Sequence, residues 1–190
     1  MEGHCQCGQI RFRTPLPEPQ ALYICHCTEC RHQSSSTYGM TAIFPFFDIA
    51  AFAPRPGAIA VYARPNPHGR TEGYFCTTCG SRLVHVAVSS SSSSSTSQPR
   101  TLSVKAGCLD GLSKEMMRRA VHIWTRSAVV DIPKDALQYA EEPPGGEFQG
   151  GGGGSGGEWE ARLIFAPRPV DSLDLDPATT TSAGKNLALR

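Results

Sequence analysis

The stretch Cys76-Thr77-Thr78-Cys79-Gly80 places two thiols two residues apart and follows them with a glycine. This spacing permits a tight turn whose backbone N–H groups point at the sulfurs, and the glycine lets the chain turn back without steric cost. The segment Cys5-Gln6-Cys7-Gly8 carries a narrower pair with the same trailing glycine. One pair cannot complete a tetrahedron around a metal ion, but two pairs can. We therefore predict a closed, structural zinc site formed by Cys5, Cys7, Cys76 and Cys79.

A third cluster, Cys25-His26-Cys27-Thr28-Glu29-Cys30, places three thiols within a short segment. One backbone segment would present them to one side of a metal ion and leave the other side open, as catalytic zinc sites require. We therefore predict a catalytic zinc on Cys25, Cys27 and Cys30, and two zinc ions per chain. Three thiolates suit a thiol substrate better than the activation of water, because they give the centre a net negative charge. The alternative is a second closed site, with a fourth ligand chosen from His26, His32, His122 and Cys108.

Composition narrows the classes of function. The chain has 190 residues and a formal net charge of +1, so it lacks the basic excess that is typical of nucleic-acid binding. No apolar stretch approaches the roughly 20 residues of a membrane span. The first residues lack the basic and apolar segments of a secretory signal. We therefore expect the protein in the cytoplasm, with the nucleus as the alternative compartment. In such a reducing compartment, clustered cysteines are metal ligands more often than disulfides.

Alternation of apolar and polar residues predicts a mainly β domain over residues 1–142. Strands are expected at 9–13, 39–44, 58–62, 81–88 and 101–106, and a short helix at 113–119. A serine-rich segment at 89–99 reads as a flexible loop between the last two strands. The remainder, 143–190, begins with a glycine-rich linker and is expected to be largely disordered, with a possible short strand at 158–166.

The cysteine motifs resemble those of the glutathione-dependent formaldehyde-activating enzyme family, also called the centromere-protein-V-like domain. The matching segments, in the order of the family, are Gly3–Gly8 with Phe12, Cys25–Arg31, Tyr74–Ser81, Lys105–Asp110 and His122–Trp124. The resemblance implies an Mss4-like fold, in which small twisted antiparallel sheets are organised around zinc. It also implies the same structural zinc on Cys5, Cys7, Cys76 and Cys79, and a second zinc on Cys25, Cys27 and Cys30 near bound glutathione.

The family's named activity is carbon–sulfur bond formation or cleavage, which joins formaldehyde to glutathione as S-hydroxymethylglutathione. The resemblance therefore implies a zinc-dependent carbon–sulfur lyase that acts on glutathione or a small glutathione adduct. Arg31 directly follows the last ligand and is a candidate to hold a glutathione carboxylate, because a guanidinium binds carboxylates in a bidentate way. Lys105, Arg82 and Arg126 are further candidates for this role.

Two other classes of function compete with the lyase. The first is a zinc-stabilised binding or scaffolding domain without catalysis. The second is a thiol–disulfide redox protein that uses Cys76 and Cys79. The redox interpretation is disfavoured, because a redox CxxC motif opens a helix in a βαβ unit, and the sequence shows no such unit.

Overall fold

The computed structural model describes residues 1–67, 69–89 and 100–144. The predicted serine-rich loop at 89–99 lies outside these residues, apart from the backbone of Ser89. The tail from residue 145, with its possible strand at 158–166, also lies outside them. All of the structural description below concerns the three described ranges.

Nine strands and two short helices make up the regular structure of the described residues. In chain order they are β1 (Glu2–His4), β2 (Arg11–Arg13), β3 (Ala21–Cys25), α1 (Thr28–Ser34), β4 (Gly39–Pro45), β5 (Ile59–Asn66), β6 (Gly69–Cys76), β7 (Arg82–Ser89), β8 (Thr101–Lys105), α2 (Lys114–Arg118) and β9 (Val121–Ile123). Short 3-10 helices lie at Ile49–Phe52, Ala106–Cys108 and Thr125–Ser127. None of the described helices has the length and apolar character needed to span a membrane.

Seven of the strands form one sheet in the order β5-β6-β7-β8-β4-β3-β9, and β1 pairs with β2 in a small second sheet. All pairs are antiparallel except β3 with β9, which are parallel. The prediction of a mainly β fold is confirmed. The main sheet is larger than the small sheets expected, because it also contains β3, β6 and β9, which were not among the predicted strands.

The main core lies on one face of this sheet. Leu102 and Val104 of β8 are buried there with Phe44, Leu83 and Val84. A smaller apolar cluster covers the other face near β3 and β9. It contains Ala21, Tyr23, Cys25, Val121 and Ile123. Since successive strand residues point to opposite faces, β3 contributes to both clusters, and all five of its residues are buried.

Candidate metal centres

Four thiols meet where the N-terminal segment lies against the turn between β6 and β7. Cys5 and Cys7 follow β1, Cys76 ends β6, and Cys79 lies in the turn. Their four Sγ atoms all lie within 4.8 Å of one another. The Sγ of Cys7 is 3.5 Å from that of Cys5 and 3.8 Å from that of Cys76. The structure thus brings together the four cysteines that the spacing paired, in a group that can hold a metal ion.

The two cysteine pairs are held by matching turns. The amide of Gly8 donates to the carbonyl of Cys5 at 2.9 Å, and the amide of Gly80 donates to the carbonyl of Cys76 at 2.8 Å. Both glycines adopt a positive φ, 71° and 74°, which is a conformation that other residues rarely adopt. This requirement explains why each pair is followed by glycine.

Hydrogen bonds to the sulfur atoms influence the pKa values of the thiols in this group. The amide of Ile10 donates to the Sγ of Cys5 at 3.3 Å. Burial opposes ionisation of Cys79, but hydrogen bonds from Ser81 and Cys7 prevail and lower the pKa of the Cys79 thiol to about 5. The amide of Gln6 also donates to the Oγ of Ser81 at 3.0 Å, which fastens the two loops to each other. The Cys79 sulfur is thus favoured in the thiolate form, which is the form that binds metals. A backbone hydrogen bond with Gln9 opposes the shift, but the contact with Cys5 and burial raise the pKa of the neighbouring Cys7 thiol to about 12.

The second group consists of Cys25, Cys27 and Cys30, whose Sγ atoms also lie within 4.8 Å of one another. Cys25 ends β3, and Cys27 is the N-cap of α1, where its sulfur accepts a hydrogen bond from the amide of Cys30 at 3.4 Å. Hydrogen bonds from Cys25 and then Cys30 lower the pKa of Cys27 to about 2, while the pKa of Cys25 is raised. Hydrogen bonding with Cys25 opposes the shift, but Cys27 and burial raise the pKa of Cys30 to about 11, so the negative charge is concentrated on Cys27. All three Sγ atoms converge on one region of space.

The candidate fourth ligands do not join this group among the described residues. His26 points away from it, and its Nε2 lies 3.0 Å from the Nδ1 of His122 in the interior. His32 is exposed. The Sγ of Cys108 donates to the carbonyl of Arg82 at 3.3 Å. Within the described ranges, the group therefore has three protein ligands.

The residues around this group are of two kinds. Trp124 and Tyr139, like Cys27 and Cys30, pack against the smaller apolar cluster, which contains Cys25. Trp124 adopts a left-handed conformation with a φ of 57°, which is strained for a bulky residue. The side that bears α1 is polar: the Nε atom of Arg31 is buried and has no hydrogen-bond partner among the described residues.

Of the other arginine candidates for contact with a substrate, Arg126 is engaged elsewhere. Arg126 forms an ion pair with Glu141, and its guanidinium lies 5.0 Å from the ring centroid of Trp124. The sequence did not point to Arg64 of β5, whose Nε lies 3.4 Å from a carboxylate oxygen of Glu29 in α1. No local signal marks Arg64, because it meets Glu29 only when β5 and α1 are folded together.

Comparison with known proteins identifies the family of this chain. The family model described as glutathione-dependent formaldehyde-activating enzyme matches residues 1–127, a range that contains both thiol groups. A search of curated proteins finds no significant match. A crystal structure of a Rhodobacter sphaeroides protein has a TM-score of 0.42 and 21% sequence identity, and the alignment covers 62% of this chain and 94% of that chain. Because the family model covers more than half of the chain, the protein belongs to the glutathione-dependent formaldehyde-activating enzyme family.

Proposed function

We propose that this protein is a zinc-dependent carbon–sulfur lyase that acts on glutathione or a glutathione adduct. The reaction adds the glutathione sulfur to the carbonyl carbon of a small electrophile, or reverses that addition. In the forward direction a C–S bond forms, the C=O π bond breaks, and the oxygen gains the proton that the thiol loses. The observation that supports this proposal most strongly is the group of three thiols, without a fourth protein ligand among the described residues, in a member of this family.

The four-thiol group fits a structural zinc. Tetrahedral coordination with Zn–S bonds of about 2.3 Å separates the sulfurs by about 3.8 Å. The Sγ–Sγ separations of 3.5 and 3.8 Å between Cys7 and its neighbours agree with this value. Cys5 and Cys76 are fully buried, so the ion would be shielded from exchange on their side. We assign Cys5, Cys7, Cys76 and Cys79 to this site.

The three-thiol group fits an open zinc site. Thiolates are soft ligands that select zinc, and catalytic zinc sites take three protein ligands. We therefore assign Cys25, Cys27 and Cys30 to a second zinc. When bound there, zinc would supply the positive charge that favours the thiolate form of glutathione.

The surrounding residues would orient the substrate and limit access of water. The buried and unpaired Nε of Arg31 makes this residue our candidate for contact with a glutathione carboxylate. Trp124 and Tyr139 would limit access of water to the reacting sulfur, because they pack against the apolar cluster that contains Cys25. His26 would position the peptide between two ligands through its hydrogen bond to His122.

A redox function for Cys76 and Cys79 has less support. The two residues lie at the end of β6 and in the turn that follows, rather than at the start of a helix. None of the eight cysteines forms a disulfide, and a reducing compartment such as the cytoplasm would favour this state. The scaffolding alternative differs from the lyase only in whether the second site binds a thiol substrate.

The deciding experiment is calorimetric titration of the zinc-loaded full chain with glutathione. We expect two zinc ions per chain and saturable binding of glutathione. The variant Cys27→Ser should retain one zinc ion and lose glutathione binding. Cys108→Ser is the matched control, since Cys108 belongs to neither thiol group. It should retain both zinc ions and bind glutathione as the wild type does.

Two results of this experiment would contradict the proposed function. If the wild type holds two zinc ions and still does not bind glutathione, the protein is not a glutathione enzyme, and the scaffolding function replaces the lyase. If only one zinc ion binds and Cys5→Ser removes it, the open site does not exist.

A further inference from the structure

Four basic side chains gather on the sheet face that is opposite the main core. We call them the basic cluster: Arg64 of β5, Arg82 and His85 of β7, and Lys105 of β8. His85 lies opposite Ser103, and Lys105 is two residues beyond Ser103, so His85 and Lys105 share this face.

An irregularity in the sheet brings Arg82 to the same face. The register between β6 and β7 shifts between Tyr74 and Phe75, so that Phe75 pairs with Arg82 and Gly73 pairs with His85. Without the shift, Arg82 and His85 would point to opposite faces, because side chains alternate along a strand. The extra residue in β7 therefore serves to add an arginine to the basic cluster.

Gly73 provides the place that Arg82 occupies. A Cβ atom built at Gly73 would overlap the Nη1 atom of Arg82, so the guanidinium lies directly on the backbone of β6. The guanidinium carbon also lies 5.9 Å from the ring centroid of Tyr62, which pairs with Gly73 across the sheet. The space left by Gly73 on β6 and the ring of Tyr62 on β5 thus position the guanidinium of Arg82.

Most of the basic cluster has no hydrogen-bond acceptor or carboxylate partner among the described residues. The Nζ of Lys105 and the Nδ1 of His85 each expose less than 1 Å² and have no hydrogen-bond partner among the described residues. Within the same ranges Arg82 forms no ion pair, and only Arg64 has a carboxylate partner, Glu29. Burying polar or charged groups without partners is costly, so such groups are usually paired.

The three-thiol group adjoins the basic cluster. Lys105 pairs with Thr41, Thr41 pairs with Tyr23, and Cys25 lies two residues beyond Tyr23 on the same face. Strand β8 is separated from β3 by one strand, which corresponds to about 10 Å. Burial lowers the pKa of Lys105, and the nearby charge of Cys30 opposes this shift. An extended tripeptide is also about 10 Å long, so one ligand can reach both places.

The basic cluster carries more positive charge than the carboxylate that pairs with it. Arg64, Arg82 and Lys105 are the three cations, and Glu29 is the carboxylate that pairs with one of them among the described residues. Burial, with the charges of Lys105, Arg82 and Arg64, lowers the pKa of His85 well below its ordinary value, so His85 adds no charge at neutral pH. A carboxylate from a ligand would reduce this excess of positive charge.

We propose that the basic cluster, with Arg82 at its centre, binds a carboxylate group of the substrate that is held at Cys25, Cys27 and Cys30. This inference rests on the proposed function, because it assumes a substrate at the three-thiol group. The carboxylate belongs either to glutathione or to the electrophile. The simpler alternative is that Lys105 only balances the thiolates. That alternative assigns no role to Arg82 or to the space at Gly73.

The test compares ligands and variants of the zinc-loaded full chain by calorimetry and thermal unfolding. The ligands are glutathione, glutathione with both carboxylates esterified, and malonate with a chloride control of equal ionic strength. Arg82→Gln removes the central charge. Gly73→Ala leaves the charge in place but displaces the guanidinium, and it serves as a second variant should Arg82→Gln fold poorly. The matched control is Arg118→Gln, which removes an exposed arginine of α2.

If glutathione supplies the carboxylate, the wild type should prefer free glutathione to the diester by about tenfold or more, and both Arg82→Gln and Gly73→Ala should reduce that preference. If the electrophile supplies it, the wild type shows no such preference, but malonate raises the unfolding temperature in a saturable way that requires Arg82. The Arg118→Gln control should behave as the wild type in every measurement.

The proposal is overturned if neither the preference for free glutathione nor the effect of malonate depends on Arg82 and Gly73. Failure of the proposed function looks different. In that case glutathione does not bind, while malonate still stabilises the wild type and not Arg82→Gln.

Discussion

The Nε2 atom of His26 lies 3.0 Å from the Nδ1 atom of His122, and the two rings stack with a centroid separation of 5.2 Å. His26 is fully buried and His122 is 9% exposed. Burial lowers the pKa of both rings, so both are neutral and one donates a hydrogen bond to the other. The pair connects the segment between two thiols of the second site to β9.

We therefore expect His122→Phe to lower the free energy of unfolding by about 1 to 3 kcal/mol, because it leaves the Nε2 of His26 buried without a partner. Urea unfolding at neutral pH measures the effect. The double variant His26→Phe/His122→Phe should cost less than the sum of the single variants, since it removes both partners together. Costs that add within about 0.5 kcal/mol would show that the two rings do not interact.

The His26–His122 contact also illustrates what sequence reasoning reached. Each thiol group was found because its ligands are close in sequence or occur as matching pairs with glycine. The contact between His26 and His122 joins residues that are 96 positions apart, and no local sequence pattern predicts it. The strands with alternating polarity, such as β7 and β8, were predicted. Strand β3 was missed, because it is buried on both faces and therefore does not alternate.

The basic cluster was recognised only as separate candidates. Lys105 and Arg82 were each named as candidates to hold a glutathione carboxylate, but their common face depends on the register shift between Tyr74 and Phe75. Such a shift depends on pairing between strands rather than on the composition of either strand. Helix α1 was missed for a different reason: it is short, and none of its residues is buried, so it lacks an apolar stripe.

The two thiol groups should differ in their contribution to stability. Cys76→Ser should remove one metal ion and lower the free energy of unfolding by about 4 kcal/mol or more, because the four-thiol group joins the N-terminal segment to the end of β6. Cys27→Ser should cost less, since its thiol group links neighbouring residues of one segment. Metal analysis combined with calorimetric unfolding checks both expectations. Equal losses for the two variants would contradict the division into structural and open sites.

Gly3 faces a crowded part of the small sheet. A Cβ atom at this position would lie 2.6 and 2.8 Å from ring atoms of Phe12 and 3.0 Å from the carbonyl oxygen of Cys108. Because Phe12 is 2% exposed and cannot move freely, Gly3→Ala should lower the free energy of unfolding by about 1 to 3 kcal/mol.

The matched control for Gly3→Ala is Gly107→Ala, since no atom lies within 4 Å of a Cβ built at Gly107. This change should be neutral or stabilise the protein by up to about 1 kcal/mol, because alanine restricts the unfolded chain. Both variants are measured by urea unfolding. Equal effects of the two substitutions would show that the contact with Phe12 does not limit position 3.

His85 should make the protein sensitive to acid. Burial, with the positive charges of Lys105, Arg82 and Arg64, holds the pKa of His85 well below its ordinary value of 6.5 in the folded protein. Below pH 6.5 the imidazole of His85 binds a proton in the unfolded chain, whereas it stays neutral in the folded protein. The stability that is present above pH 6.5 is therefore lost as the pH falls, by up to about 1.4 kcal/mol per pH unit.

The variant His85→Gln should remove this part of the pH dependence. Urea unfolding of the wild type and the variant between about pH 7.5 and about pH 5.5 gives the difference between their slopes. Protonation of the thiols affects both proteins equally and cancels in the difference. The control is His32→Gln, which replaces an exposed histidine and should keep the slope of the wild type. If His85→Gln loses stability with acid as steeply as the wild type does, His85 is protonated in the folded protein.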